Sequence, residues 1–219
     1  MQNTIDHPDP GKVGHVKHET SRVEALSDGI FAIAITLLVL DIHVPAIRGE
    51  ASLLRALLVD WPTHLAFLIG FFTLLICWIN RHYMYELIYK SNGVLLLLNG
   101  FKLLVVTFTP FATALLAKYI GTEYQQTAVT VYVFNFFIMG LSMTCLWSYA
   151  QWRGLTRSPS SGVLRMTTRL YYFASIVPAC ILALSFIDVW SCLALSAVMF
   201  SFFLFPKGLV GRLVRRGSS

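Results

Sequence analysis

The polar side chains at the start of the first long apolar run are the ones whose types and spacing could do chemistry. Arg22, Ser27 and Asp28 stand there, and the chain is then apolar up to Asp41 apart from Thr36. Asp28 falls at the predicted membrane border, where an ionisable group should face protein or water rather than lipid. Arg22 is too far along the chain to pair with Asp28 on a neighbouring helical turn, so we expect it to reach another helix or the interface. A simple helix cap at Ser27 or Asp28 is the alternative interpretation.

The sequence shows no combination of residues that is typical of a catalytic site. The sequence contains no His-Glu-x-x-His, Gly-x-Ser-x-Gly or paired-aspartate motif, so we do not expect an enzyme. The four cysteines fall inside apolar runs without metal-ligand spacing, which predicts small hydrophobic side chains and no metal or cofactor site. A secondary transporter would be expected to show internal repeats or charged pairs at the centre of adjacent spans, and neither is evident. A scaffold or assembly protein remains an alternative.

Composition identifies the elements that must position these side chains. Of the 219 residues, 56% are hydrophobic and 13% are charged, whereas a soluble domain averages about 25% charged residues. Hydrocarbon penalises charge and rewards apolar side chains, so a bilayer explains this balance. The net charge of +6 lies mainly between the apolar runs, and we therefore interpret it as a topology signal and expect no nucleic-acid partner.

Six apolar runs have lengths suited to crossing a membrane, for which a helix needs about 20 residues. The predicted spans are 26–44, 62–80, 94–117, 128–150, 170–187 and 189–205. The predicted fold class is therefore an all-α integral membrane protein with six transmembrane helices. Only Asp188 separates the last two runs, and we expect a tight hairpin there rather than a re-entrant unit.

The basic residues predict how the chain is oriented. Residues 1–21 are expected to be a disordered polar tail, 22–206 the membrane domain, and 207–219 a basic tail. Thirteen of the 17 Lys and Arg residues fall on the same side as both termini, which the positive-inside rule places in the cytoplasm. Lys102 lies within the third run. We expect it to snorkel to the interface, with a pairing to an acidic group such as Asp28, or a positive field near a pore, as the alternatives.

The first run also carries an apolar stripe. Ile33, Leu37 and Leu40 follow one another at i, i+4 and i+7, and therefore share one helical face. Thr36 lies on nearly the same face. The spacing alone is compatible with ordinary packing against a neighbouring helix.

Two motifs resemble a known channel family. Arg22-x-x-x-Leu26-Ser27-Asp28 resembles the start of the first helix in bacterial relatives of the endolysosomal potassium channel transmembrane protein 175, where Phe stands in place of Leu26. Trp78-Ile-Asn80-Arg-His82 is similar to the family's motif at the end of the second helix, and shorter similarities continue into the third helix. The resemblance covers roughly residues 22–117 and is most specific in the first helix.

The resemblance implies a potassium channel in a bacterial inner membrane, assembled as a homotetramer of six-helix subunits. In such a channel the first helix of each subunit lines the pore. Carried onto this chain, Ile33, Leu37 and Leu40 would form stacked apolar rings with Thr36 hydroxyls nearby. The first-helix motif would be tied to its neighbours, and the expected partners of Arg22, Ser27 and Asp28 are Trp78, Asn80 and His82.

Selectivity would then need an unusual origin. No Thr-Val-Gly-Tyr-Gly segment is present, so a filter of backbone carbonyls is not expected. An apolar constriction strips part of an ion's water, and K⁺ holds its water less tightly than Na⁺. Apolar rings can also close a pore by dewetting. The alternative functions are a secondary transporter or a proton-conducting membrane protein.

Overall fold

The chain is helical throughout the part that the structure describes. The structure, a computed structural model, describes residues 10–42, 44, 52–156 and 161–204. No strand occurs within these ranges, and an isolated bridge joins Ile88 to Thr156. The seven α-helices are α1 (Pro10–Leu37), α2 (Leu53–Val59), α3 (Trp61–Leu87), α4 (Gly93–Tyr119), α5 (Gln125–Trp152), α6 (Ser161–Leu184) and α7 (Val189–Leu204), and a 3-10 helix (Leu38–Asp41) continues α1.

Five stretches of helix are long and apolar enough to cross a membrane. They are Arg22–Leu40, Thr63–Leu87, Gly93–Tyr119, Gln125–Trp152 and Gly162–Leu184. The chain is therefore a multi-pass membrane protein. Helix α7 has 16 residues within the described range, which at 1.5 Å per residue gives about 24 Å, less than a hydrocarbon core of about 30 Å. The sixth span thus stays a prediction.

Helix α1 starts earlier than expected. Residues 10–21, assigned from sequence to a disordered tail, are helical, and this assignment needs correction for those residues. Pro10 is the first residue of the helix as described, and no further proline occurs before the end of the helix. Residues 1–9 and the predicted basic tail at 207–219 lie outside the described residues.

Helix α3 ends later than expected. The predicted span stopped at residue 80, whereas the helix continues to Leu87. Arg81 and His82 are therefore helical residues and not loop residues. Trp78 and Arg81 are three residues apart, so they lie on the same side of α3.

The core joins α1 to the following helices. Phe31 of α1 and Leu38 of the 3-10 helix pack with Leu74 of α3, Val106 of α4 and Met139 of α5 in one buried cluster. Helices α5 and α6 also approach closely at Gly140, where an added Cβ would lie 2.2 Å from the Ala174 carbonyl oxygen. Small residues permit such close helix contacts in membrane proteins.

The connections alternate between the two ends of the bundle. At one end, the α3–α4 and α5–α6 connections meet, since the Tyr89 amide donates to the Leu155 carbonyl at 3.0 Å. At the other end, Gln126 at the start of α5 donates to the Phe186 carbonyl between α6 and α7 at 3.3 Å. Helices α6 and α7 are joined by a short turn and pack against each other through Ile181 and Cys192, as a helical hairpin does.

Candidate functional site

Helix α1 has two contrasting faces. Its buried face consists of Ser27, Phe31, Ala34 and Leu38, which recur at helical spacing. Its exposed face consists of Ile33, Thr36, Leu37 and Leu40. Ile33 is 59% exposed, so the apolar stripe of the exposed face does not pack in the core of its own chain.

Thr36 gives the exposed face a polar atom. Its hydroxyl donates to the Ile33 carbonyl at 2.9 Å. The donor is thereby used within the helix, and the hydroxyl oxygen keeps lone pairs that can accept or face a cation. This arrangement suits contact with a positive ion better than contact with an anion.

Asp28 fastens α1 to α3. Its Oδ1 accepts from the Trp78 indole nitrogen at 2.8 Å and also from the Arg81 guanidinium. The Arg81 side chain is 1% exposed and the Asp28 side chain 50% exposed. A charge-assisted bond to a buried guanidinium is stronger than a neutral hydrogen bond. Because α1 begins at Pro10, Ser27 and Asp28 are interior residues of the helix and the alternative of a helix cap is wrong.

Ser27 fastens α1 to α4. The buried Ser27 hydroxyl donates to the Val23 carbonyl at 2.7 Å and accepts from the Asn99 side-chain amide at 3.2 Å. Because both side chains are buried, the amide has no water to replace this acceptor. Two adjacent residues of α1 thus contact two different helices.

The expected partners of the first-helix motif have different roles. Trp78 contacts Asp28 directly, as described above. The Asn80 carbonyl accepts from the Tyr171 hydroxyl at 3.3 Å, which joins α3 to α6 instead. His82 stacks on Trp78 with 6.1 Å between ring centroids and lies 3.6 Å from the Glu86 carboxylate, so its link to α1 is indirect. Arg22 is exposed.

Arg81 and Asn99 are the partners that sequence reasoning missed. Arg81 was counted only as a loop charge, although its position three residues after Trp78 on a longer helix could have indicated a shared face. Asn99 lies within the part of the chain that the resemblance covers, but no role was predicted for it. The signal was available in α4, where the buried residues Leu95, Asn99 and Val106 follow helical spacing.

Lys102 corrects another expectation. It belongs to the same buried stripe of α4 and is 2% exposed, so it does not snorkel to the interface. Its Nζ lies 5.9 Å from the Phe31 ring centroid and 6.0 Å from that of Tyr85. Arg81 lies over the same two rings, at 5.9 and 5.6 Å. Two buried basic side chains therefore share one pair of aromatic rings.

The two basic side chains differ in how their charge is compensated. Arg81 has the Asp28 carboxylate, whereas Lys102 Nζ has no hydrogen-bond partner among the described residues. A desolvated cation–π contact stabilises the folded state by about 2 kcal/mol. Burying an ion, in contrast, costs on the order of several kcal/mol. The rings alone do not balance the burial of Lys102. Among the described residues, no group of three His, Cys, Asp or Glu side chains could hold a metal ion.

Comparison with known proteins decides the family. A potassium channel of Chamaesiphon minutus is 38% identical over 189 residues, which cover 84% of this chain and 93% of that protein. This chain belongs to the TMEM175 family. The family model described as "Endosomal/lysosomal potassium channel TMEM175" matches residues 22–110, from the first-helix motif into α4.

A solved structure and a further sequence from the TMEM175 family agree with this assignment. The crystal structure of a lysosomal potassium-selective channel TMEM175 homolog from Chamaesiphon minutus superposes with a TM-score of 0.78 at 36% identity, covering 85% of this chain and 97% of that one. Human TMEM175, named an endosomal/lysosomal proton channel, is 31% identical over 147 residues, which are 62% of this chain and 29% of the human protein. The TMEM175 family is one of ion channels and not of enzymes.

Proposed function

We propose that this chain is the subunit of a homotetrameric potassium channel, with the exposed face of α1 lining a central pore. The observation that carries the proposal is the division of α1 into a tightly held buried face and an apolar face that the described part of its own subunit leaves exposed. Relatives that are named potassium channels support K⁺ as the permeant ion.

The pore would select by dehydration rather than by a carbonyl cage. Rings of Ile33, Leu37 and Leu40 around a narrow axis force a cation to lose part of its water, and K⁺ gives up water at lower cost than Na⁺. Thr36 hydroxyl oxygens replace part of the lost shell. When the rings are dry they block the ion, so the same residues serve as constriction and gate.

The polar contacts of the buried face keep this constriction in place. Asp28 holds α1 against α3, and Ser27 holds it against α4. A pore-lining helix needs such anchors, because the exposed face meets ions and water and contributes little packing within the subunit. The first-helix motif is therefore a positioning device for the pore.

The assembly follows from the need to close a ring of subunits around the pore. One helix face cannot enclose a pore, and identical subunits close most simply around a rotation axis; the number four comes from the family resemblance. We further infer six spans, with α7 as the sixth and both termini in the cytoplasm of a bacterial inner membrane. The alternating ends of the α3–α4, α4–α5, α5–α6 and α6–α7 connections support this topology.

Ion flux into proteoliposomes tests the proposal. Purified protein is compared with Ile33→Asn and Leu37→Asn, with K⁺ or Na⁺ as the permeant ion under an imposed potential. Wild type should pass K⁺ well above Na⁺, and both variants should leak and discriminate less. Ile176→Asn on α6 is the matched control, because Ile176 is 58% exposed and Ile33 59%. Equal effects at Ile33 and Ile176, or none at Ile33 and Leu37, would remove the exposed face of α1 from the pore.

Proton conduction is the second candidate, because vertebrate relatives are named proton channels. The half-exposed Asp28 carboxylate lies on the same helix as the proposed pore face. A pH-sensitive dye enclosed in the same liposomes separates the two functions. Acidification that persists without permeant K⁺ would favour protons, and its absence would leave K⁺ as the permeant ion.

A further inference from the structure

A cavity lies inside the subunit, on the buried side of α1. It has a volume of about 80 Å³, is partly open, and is lined mainly by α3, α4, α5 and α6. A water-sized occupant needs only about 10–15 Å³ measured in this way, so the cavity has room for several. Most of its lining is apolar, and the side chains with polar atoms are those of Thr73, Cys77, Asn80, Lys102 and Tyr171, whose hydroxyl donates to the Asn80 carbonyl.

The charge beside this cavity is unbalanced. Lys102 lines the cavity, and its Nζ is fully buried without a hydrogen-bond partner among the described residues. The carboxylate oxygen of Asp28 that accepts a bond is already shared by Trp78 and Arg81. Arg81 adds a second positive charge over the same rings. An ammonium in this position stays charged only if it has a negative partner.

The other polar groups of the lining fit an anion. The Asn80 side chain makes no hydrogen bond in the described part of the chain, so its amide N–H groups remain available as donors. The Thr73 hydroxyl donates to the Ile69 carbonyl at 2.7 Å and offers only its oxygen. One ammonium and one amide, with water in the remaining space, are donors suited to a small singly charged ion.

We propose that this cavity is a binding site for a small monovalent inorganic anion such as chloride, held by Lys102 and Asn80. The anion neutralises Lys102 and does not travel through the pore, because the cavity lies on the opposite side of α1 from Ile33. The anion packs behind Phe31, which contacts both the cavity and Lys102. The site therefore supports the buried face that positions α1.

Thermal unfolding of the full chain in detergent tests the site. Protein is compared in potassium chloride, potassium bromide and potassium gluconate at equal ionic strength. The unfolding midpoint should rise with chloride or bromide in a saturable way, by a few °C on the order of magnitude. Lys102→Met should abolish the halide dependence. Lys118→Met is the matched control, because Lys118 is an exposed lysine near the end of the same helix, and it should retain the full shift.

Diffraction gives a readout that does not depend on how the variant folds. Crystals of the unaltered protein grown in bromide should show an anomalous peak within hydrogen-bonding reach of Lys102 Nζ, and crystals grown in gluconate should not. No anomalous peak beside Lys102 would overturn the proposal, with Lys102 buried as the neutral amine. A halide shift of the same size in Lys102→Met would overturn it as well.

Discussion

The buried and exposed faces of α1 solve different problems with neighbouring residues of one helix. On the buried side, Ser27 and the adjacent, half-exposed Asp28 each form a polar bond to another helix. The exposed face is apolar, and its one hydroxyl, at Thr36, is bonded within the helix. The comparison teaches that polar bonds on one side fix the position of α1, so the other side needs no specific bonds to neighbouring helices.

This division predicts opposite mutational signatures. Changes on the buried face should reduce stability, because they leave buried polar groups unpaired. Changes on the exposed face should alter ion selectivity with little effect on folding, because few contacts within the subunit are lost. Three substitutions test the contrast, in order of decreasing expected effect.

The largest effect is expected for Asp28→Asn. The change leaves the buried Arg81 guanidinium without its carboxylate, and removing one partner of a buried ion pair costs about 3–5 kcal/mol. Because Asp28 is half-exposed, we expect the lower end, a loss of about 3 kcal/mol in the free energy of unfolding. The midpoint of thermal unfolding in detergent, followed by tryptophan fluorescence, should fall by about 10 °C.

Glu86→Gln is the control for that variant. Glu86 also pairs with a residue of α3, but its partner His82 is as exposed as Glu86 itself. An exposed pair contributes about 1 kcal/mol or less, so the midpoint should hardly move. Equal losses for the two variants would show that the Asp28–Arg81 contact does not anchor α1.

A smaller effect is expected for Ser27→Ala. The Asn99 amide then lacks its acceptor inside the bundle, which costs about 1–3 kcal/mol. Ser142→Ala is a suitable comparison, because the buried Ser142 hydroxyl bonds only to the Met139 carbonyl of its own helix at 2.8 Å. If unfolding by denaturant in micelles shows no larger loss for Ser27→Ala than for Ser142→Ala, the Ser27–Asn99 bond is not an anchor.

The contrast between faces also explains what the sequence could predict. Periodicity placed Ile33, Leu37 and Leu40 on one face, since helical spacing is a local property. It could not tell whether that face is buried, because burial depends on which helices surround α1. The motif directed attention to Trp78, but the direct contact of Asp28 with Arg81 depends on α3 continuing past the predicted span.

Lys102 shows the opposite kind of error. Its charge suggested the interface, yet its spacing from Leu95, Asn99 and Val106 put it on the buried stripe of α4. The prediction relied on the average preference of lysine for the membrane interface, whereas the helical spacing within α4 indicated burial. Functional sites are where such preferences are expected to fail.

The smallest effect is expected at Thr36, on the exposed face. Thr36→Val keeps the shape of the side chain but removes the hydroxyl, which bonds only to the Ile33 carbonyl. The unfolding midpoint should stay close to that of wild type, while the K⁺/Na⁺ permeability ratio falls about threefold, equivalent to about 0.7 kcal/mol. Thr36→Ser retains the hydroxyl and should keep the ratio.

Bi-ionic reversal potentials measured in bilayers give this ratio without depending on the amount of protein. A ratio unchanged in Thr36→Val would mean that the hydroxyl oxygens do not face the ion and that the apolar rings alone discriminate. A large loss of stability in Thr36→Val would instead break the contrast between the two faces, because it would show that the exposed face also holds the subunit together.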